Sequence, residues 1–222
     1  YQSVVYQPDG QFTNTMHTAK LVLTAEGKAE ASTVQMYYTK DAEKVELLEA
    51  QVVKPDGTVI KVDPKDIQDV EQSGEMNIYD PQGRSVKATL NGLAVGDVVD
   101  YTFKLTRMLP TRVGYFNDIF DFQSTEPMLE ASYAVDGPAT LPLTSQLYHQ
   151  DRGSKIETSK SKVGDRMHYT WRVHNAPQLV PEMAMDFSTE VPALVVTTDP
   201  SWQHFSQWWA KLTEPQLEAT PE

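Results

Sequence analysis

Val99-Asp100-Tyr101-Thr102-Phe103-Lys104-Leu105 alternates apolar and polar side chains without a break. Successive side chains of a strand point to opposite faces. Val99, Tyr101, Phe103 and Leu105 therefore share one face and Asp100, Thr102 and Lys104 the other, the pattern of a half-buried strand. The same period of two recurs at Leu129, Ala131, Tyr133 and Val135, and again where Tyr169, Trp171 and Val173 alternate with His168, Thr170, Arg172 and His174. Trp171 is expected to point inward. Turn residues separate these runs: Pro55-Asp56-Gly57 divides Val45–Lys54 from Thr58–Val62, and Ala25-Glu26-Gly27-Lys28 divides the stretch around Leu21 and Leu23 from the one ending in Val34, Met36 and Tyr38. Asn91-Gly92 and Val95-Gly96-Asp97 lead into the Val99 run. About eleven to fourteen strands at this spacing predict an all-β, two-layer antiparallel β-sandwich, immunoglobulin-like or larger. No fixed-period repeat points to a propeller or solenoid.

One segment departs from this pattern. Trp202, Phe205, Trp209 and Leu212 fall at spacings of three, four and three, which is one face of a helix. Asp199 can cap it with Pro200 at the first helical position, or Ser201 can be the cap. The sandwich is thus expected over residues 1–198, and a helix with a polar exit over 199–222. Trp208 lies about 100° around that helix from Trp209, so packing on a single sheet cannot bury both indoles.

Composition narrows the function classes. The 222 residues carry a net charge of −12, which disfavours nucleic-acid phosphate and anionic membrane surfaces as partners. No run reaches the roughly 18 apolar residues of a membrane-spanning helix, so no membrane insertion is expected. The absence of cysteine removes thiol nucleophiles, disulfides and thiolate metal centres from this stretch. Tyr1 in place of an initiator Met suggests a processed protein or an excerpt, with any signal peptide upstream.

Chemistry-bearing motifs are absent: there is no G-x-G-x-x-G, no phosphate-binding loop, no H-E-x-x-H and no G-x-S-x-G. His168 and His174 would share a strand face but lie about 20 Å apart, too far for one metal ion. Asp41–Glu75 holds ten acids and four lysines, a net of −6. Within it Asp63, Asp66, Asp69 and Glu71 could offer oxygens to calcium, although their spacing is not that of an EF-hand loop. The alternative is a solvated loop with a short helix at Pro64–Val70. No catalytic residue, cofactor or metal ligand is assigned.

Three stretches taken together resemble a known family: Leu48-Glu49-Ala50-Gln51-Val52-Val53-Lys54-Pro55-Asp56-Gly57, Leu93-Ala94-Val95-Gly96-Asp97-Val98-Val99-Asp100-Tyr101, and Val191-Pro192-Ala193-Leu194 leading to Ser201-Trp202 and Trp208-Trp209. Phe122-Gln123-Ser124 with Pro127, and Tyr169–Pro177, fit it too. The family is an uncharacterised domain found directly N-terminal to a transglutaminase-like cysteine-hydrolase core in bacterial envelope and secreted proteins. The resemblance implies an antiparallel sandwich followed by a helix that begins the next domain, a periplasmic or cell-surface location, and a catalytic Cys, His and Asp lying in that next domain. No position here matches those three.

The sequence therefore reads as a non-catalytic accessory module that supports or orients a following transglutaminase-like domain or its substrate, with Trp202, Phe205, Trp208 and Trp209 at the contact between domains. A second reading is a self-contained carbohydrate- or peptide-binding sandwich with a stacking platform drawn from Tyr37, Tyr79, Tyr115 and Phe116. A third is a glycosidase working with paired carboxylates, of which no pair is marked. Lacking a thiol and any recognisable serine arrangement, residues 1–222 alone should neither hydrolyse nor cross-link peptide amides. Turnover by the purified segment, abolished by a point substitution within it, would contradict this.

Overall fold

Sequence alternation is realised as fourteen strands in the computed structural model, which describes residues 1–72, 81–183 and 187–217. In chain order they are β1 (Gln2–Tyr6), β2 (Phe12–Leu21), β3 (Thr33–Thr39), β4 (Glu43–Val53), β5 (Val59–Lys61), β6 (Ile67–Glu71), β7 (Gly83–Thr89), β8 (Val98–Arg107), β9 (Asn117–Asp121), β10 (Met128–Pro138), β11 (Thr144–Tyr148), β12 (Ile156–Val163), β13 (Arg166–Ala176) and β14 (Ala193–Thr197). The helices are α1 (Ala25–Ala31), the single turn α2 (Phe187–Glu190) and α3 (Trp202–Thr213).

These strands form three open sheets. One has eight strands in the order β12-β13-β10-β1-β2-β8-β4-β5, and two have three strands each, β11-β14-β9 and β3-β7-β6. Pairing is antiparallel except between β1 and β10, which run parallel with Gln2 opposite Tyr133 and Val4 opposite Val135. Register then fixes the faces. Gln2 also sits opposite Met16, and Met16 opposite Phe103, so Tyr133 on β10 and Phe103 on β8 point the same way. Both small sheets consequently pack on one face of the large sheet.

Two hydrophobic cores result, one under each small sheet. The first joins Val4, Tyr6, Tyr133, Tyr169 and Trp171 of the large sheet to Phe122, Leu194 and Val196 beneath the β11-β14-β9 sheet. The second joins Val52, Val99 and Phe103 to Val34, Val86 and Ala88 of the β3-β7-β6 sheet. No linker separates them because the large sheet runs continuously through both. Trp171 is buried, parallel to the Tyr169 ring at 6.1 Å between centroids and tilted against Tyr133 at 6.0 Å. Tyr6, fully buried, stacks on Phe116 at 5.2 Å and donates its hydroxyl to the Leu141 carbonyl. Its ring passes over Gly137, where a Cβ would come within 1.9 Å of the ring, so only glycine leaves room there.

The Pro55–Gly57 turn joins β4 to β5, with Gly57 at φ +87° and its N–H bonded to the Lys54 carbonyl. Ala25–Lys28 is instead part of α1, whose N-cap Thr24 accepts from the Gly27 N–H at 3.0 Å. Good helix formers behind a threonine cap suit this stretch, and since β2 and β3 lie in different sheets a crossing connection is required there in place of a hairpin. The helix expected over Pro64–Val70 stops after a 3-10 turn at Pro64–Asp66, because Ile67–Glu71 pairs with β7 as a strand.

Trp171→Ala should cost about 3–5 kcal/mol, the range for truncating a large aromatic in a core. A loss below about 1 kcal/mol in denaturant titration would mean that Trp171 does not anchor the first core.

Candidate functional site

Helix α3 begins behind Ser201, whose Oγ accepts from the His204 N–H at 3.1 Å, so Ser201 and not Asp199 is the cap. No α3 residue is buried. Trp202 is 83% exposed, Trp209 53% and Leu212 53%, while Phe205 and Trp208 are half-buried. The apolar stripe seen in the sequence thus turns largely to solvent. Phe205 ties the ring cluster together, meeting Trp202 edge-on at 5.9 Å and lying near both Trp208 and Trp209.

Asp199, freed from capping, joins the helix to the sandwich. Its carboxylate pairs with Arg112 of the loop between β8 and β9, and also takes His204 Nδ1 at 2.5 Å. Arg112 lies 4.6 Å over the Tyr115 ring and 4.8 Å over the Trp208 ring. Thr198 closes the arrangement: its hydroxyl donates to the Gly114 carbonyl at 2.7 Å and accepts from the Phe116 N–H at 2.9 Å. A cleft of about 400 Å³ opens beside these groups, lined by Val113, Leu141, Pro142, Thr144, Pro200 and His204 among others. No periodicity or motif marks Arg112 in the sequence. The available signal was a cation beside Tyr115, flanked by Pro110 and Gly114, in a chain short of cations.

Other candidate residues do not assemble. Tyr37 is exposed on β3, Tyr115 lies beneath Arg112, and Phe116 is in the first core, so these three form no stacking platform; Tyr79 lies outside the described residues. The Lys65 ammonium, at 2.8 Å, and the Lys65 backbone N–H both bond Asp63 and hold its carboxyl below the usual range. Asp66 accepts from Asn91 at 2.9 Å, and Asp69 takes Arg84 at 3.0 Å and the Tyr38 hydroxyl at 2.7 Å. Glu71 sits opposite Arg84 on the edge strand β6. Among the described residues no three His, Cys, Asp or Glu side chains are grouped to hold a metal ion. His168 pairs with Asp136 at 2.6 Å, and His174 is exposed farther along β13.

Asp118 on β9 is half-buried between two sheets. Its carboxylate accepts from the Tyr133 hydroxyl at 2.8 Å, from Gln2 Nε2 at 3.0 Å and from the Ile119 N–H at 2.9 Å. Burial raises its pKa above the ordinary carboxylate value despite the opposing bonds from Tyr133 and Ile119. Burial and the neighbouring carboxylate likewise raise the Tyr133 phenol. The trio bridges the large sheet and the β11-β14-β9 sheet, and it belongs to the packing of the first core.

Residues 8–179 match a family described as a domain of unknown function with a solved structure, DUF3857. Among solved structures, the chain is similar to a protein from Parabacteroides distasonis ATCC 8503 described as a "putative protease", with a TM-score of 0.79 and 16% identity. The match covers 98% of this chain and 46% of that one, so the chain spans less than half the length of its structural relative. At that identity the likeness establishes the fold. No curated protein matches the chain.

Asp118→Asn keeps a carbonyl acceptor for Tyr133 and Gln2 and removes the titration. A carboxyl whose folded pKa is raised stabilises the fold fully below its unfolded pKa of about 3.9, and that contribution is lost as pH rises through the folded pKa. The stability of the wild type relative to Asp118→Asn should therefore fall from pH 3 upward and level off above the folded pKa. A difference that stays constant from pH 3 to 7 in denaturant titrations would contradict the burial of Asp118.

Proposed function

We propose that this chain, which belongs to the DUF3857 family of domains of unknown function, is a non-catalytic β-sandwich module that supports or orients a following domain of the same protein, or that domain's substrate. The observation that carries this reading is the stripe of Trp202, Trp209 and Leu212, exposed on a helix tethered to the sandwich at its beginning. A helix lying between two domains can use apolar surface on both sides, whereas three large apolar side chains facing water on one helix have no evident use in an isolated module. The solved relative is more than twice as long as this chain, which leaves room in that protein for a further domain.

The following domain is taken to be transglutaminase-like, from the residues that carry the family resemblance, with the catalytic Cys, His and Asp located there. A cysteine-free module agrees with this division of labour. Peptide is the favoured substrate class, since a cysteine hydrolase of this type and the description of the solved relative both point to amide bonds. The envelope or secreted location rests on the same resemblance; no described helix is long and apolar enough to cross a membrane.

Acrylamide quenching of tryptophan fluorescence tests the contact. Residues 1–222 and the longer protein would be compared, with single Trp→Phe substitutions at 202, 208 and 209 separating the signals. Trp202 and Trp209 should be readily quenched in the short form and shielded in the long one. Equal quenching in both forms would remove the basis for an interdomain helix.

A further inference from the structure

Few contacts connect α3 to the sheets. None of its residues is buried, and its one strong polar tether runs through the segment just before it. That tether has an unusual build. The Arg112 and Asp199 side chains are only 13% and 10% exposed, and the guanidinium is held between two aromatic faces, Tyr115 on its own loop and Trp208 two turns into the helix. Guanidinium is flat, remains charged and is weakly hydrated, so it can stack on both rings while its edge pairs with a carboxylate. An ammonium group carries the charge but has no flat face to stack. Asp199 reaches back to His204 as well, so one carboxylate ties together the loop, the end of the β14 connection and the first turn of the helix.

The loop that carries Arg112 is braced in turn. Gly10, in the turn between β1 and β2, has φ +91°, and a Cβ there would lie 2.9 Å from the Tyr115 carbonyl oxygen and 3.1 Å from that of Arg112. The turn thus packs directly against the backbone on both sides of the stacked guanidinium. Thr198 fixes the far end of the loop through Gly114 and Phe116.

We propose that Arg112 is a positioning residue acting as a latch: stacked between Tyr115 and Trp208 and paired with Asp199, it sets the direction in which α3 leaves the sandwich. The loop between β8 and β9, and not the face of either sheet, then decides where the Trp202–Trp209–Leu212 stripe points. This deepens the proposed role without depending on it, because the latch holds the helix whether or not another domain covers the stripe.

Hydrogen exchange followed by mass spectrometry on the intact protein tests the latch. Arg112→Met retains most of the stem and loses the guanidinium, and Arg112→Lys retains charge without the flat group. Both should raise the exchange rate of peptides from α3 at least tenfold while peptides from β9, β10 and β14 keep wild-type rates. Trp208→Leu, which leaves the Arg112–Asp199 pair in place and does not touch a sheet, should give a smaller rise confined to α3. Unchanged α3 exchange in Arg112→Met, or a rise shared equally by β14, would overturn the latch; should Arg112→Met fail to fold, wild-type exchange of α3 in Trp208→Leu would do the same. Shielding of Trp209 by a following domain is read separately by quenching, so loss of the proposed function would leave this result standing.

Discussion

The parallel pairing of β1 with β10 holds the molecule together as one body. β1 is five residues long, yet it lies between β10 and β2 and so joins β12-β13-β10 to β2-β8-β4-β5. Without it the large sheet would be two sheets, each facing its own three-stranded partner. Because side chains alternate along a strand, the pairing also fixes which faces coincide: the inward set of β10 and β13 and the inward set of β8 and β4 become one side of one surface. Val4 and Tyr6, both fully buried, seal the joint from the core side. A one-residue slip would turn them outward and the two cores would no longer share a face.

The opposite side of the large sheet shows what this arrangement leaves uncovered. Its residues pair across strands through polar groups: His17 with Asp100 at 2.8 Å, Gln51 with Asp100 at 3.1 Å, Arg166 and His168 with Asp136, and Arg172 with Glu130 at 3.4 Å. Such pairs contribute little individually at exposed positions, but they satisfy groups that a half-covered sheet must present to water. Acidic excess is handled at the sheet ends in a similar way. Asp97, 3% exposed, takes Lys54 and the Ala94 N–H at 2.7 Å each, which closes the turn into β8.

Legibility followed locality. Alternation around Tyr101, Tyr133 and Trp171 reports which residues face inward, since the period of two is a property of the strand itself, although Leu129, in step with Tyr133, is 84% exposed at the start of β10. It could not tell that the inward residues divide between two cores, because that depends on β1 meeting β10 across more than a hundred residues, nor that this one pairing is parallel. The glycine within Ala25–Lys28 points to a turn, while the threonine one residue earlier supplies a helix cap. Over Pro64–Val70 only a 3-10 turn forms, at Pro64–Asp66 behind the Asp63 cap, because an edge position beside β7 draws Ile67–Glu71 into a strand. Burial of Asp118 left no sequence trace at all: an aspartate amid Asn117, Ile119 and Phe120 on an edge strand reads as solvent-facing.

The aromatic helix was legible as a helix because its spacing is local, whereas its attachment was not. Arg112 and Asp199 are 87 residues apart and both lie outside regular elements, where no periodicity reports direction. What brings them together is the β9–β14 ladder, which sets Thr197 opposite Asn117 and so carries the segment after β14 back to the loop before β9. The geometry of the site is therefore a consequence of a sheet pairing rather than of any motif. A single cation placed on that loop, with tyrosine on its own side and tryptophan on the helix, then suffices to hold an otherwise unburied helix against the sandwich.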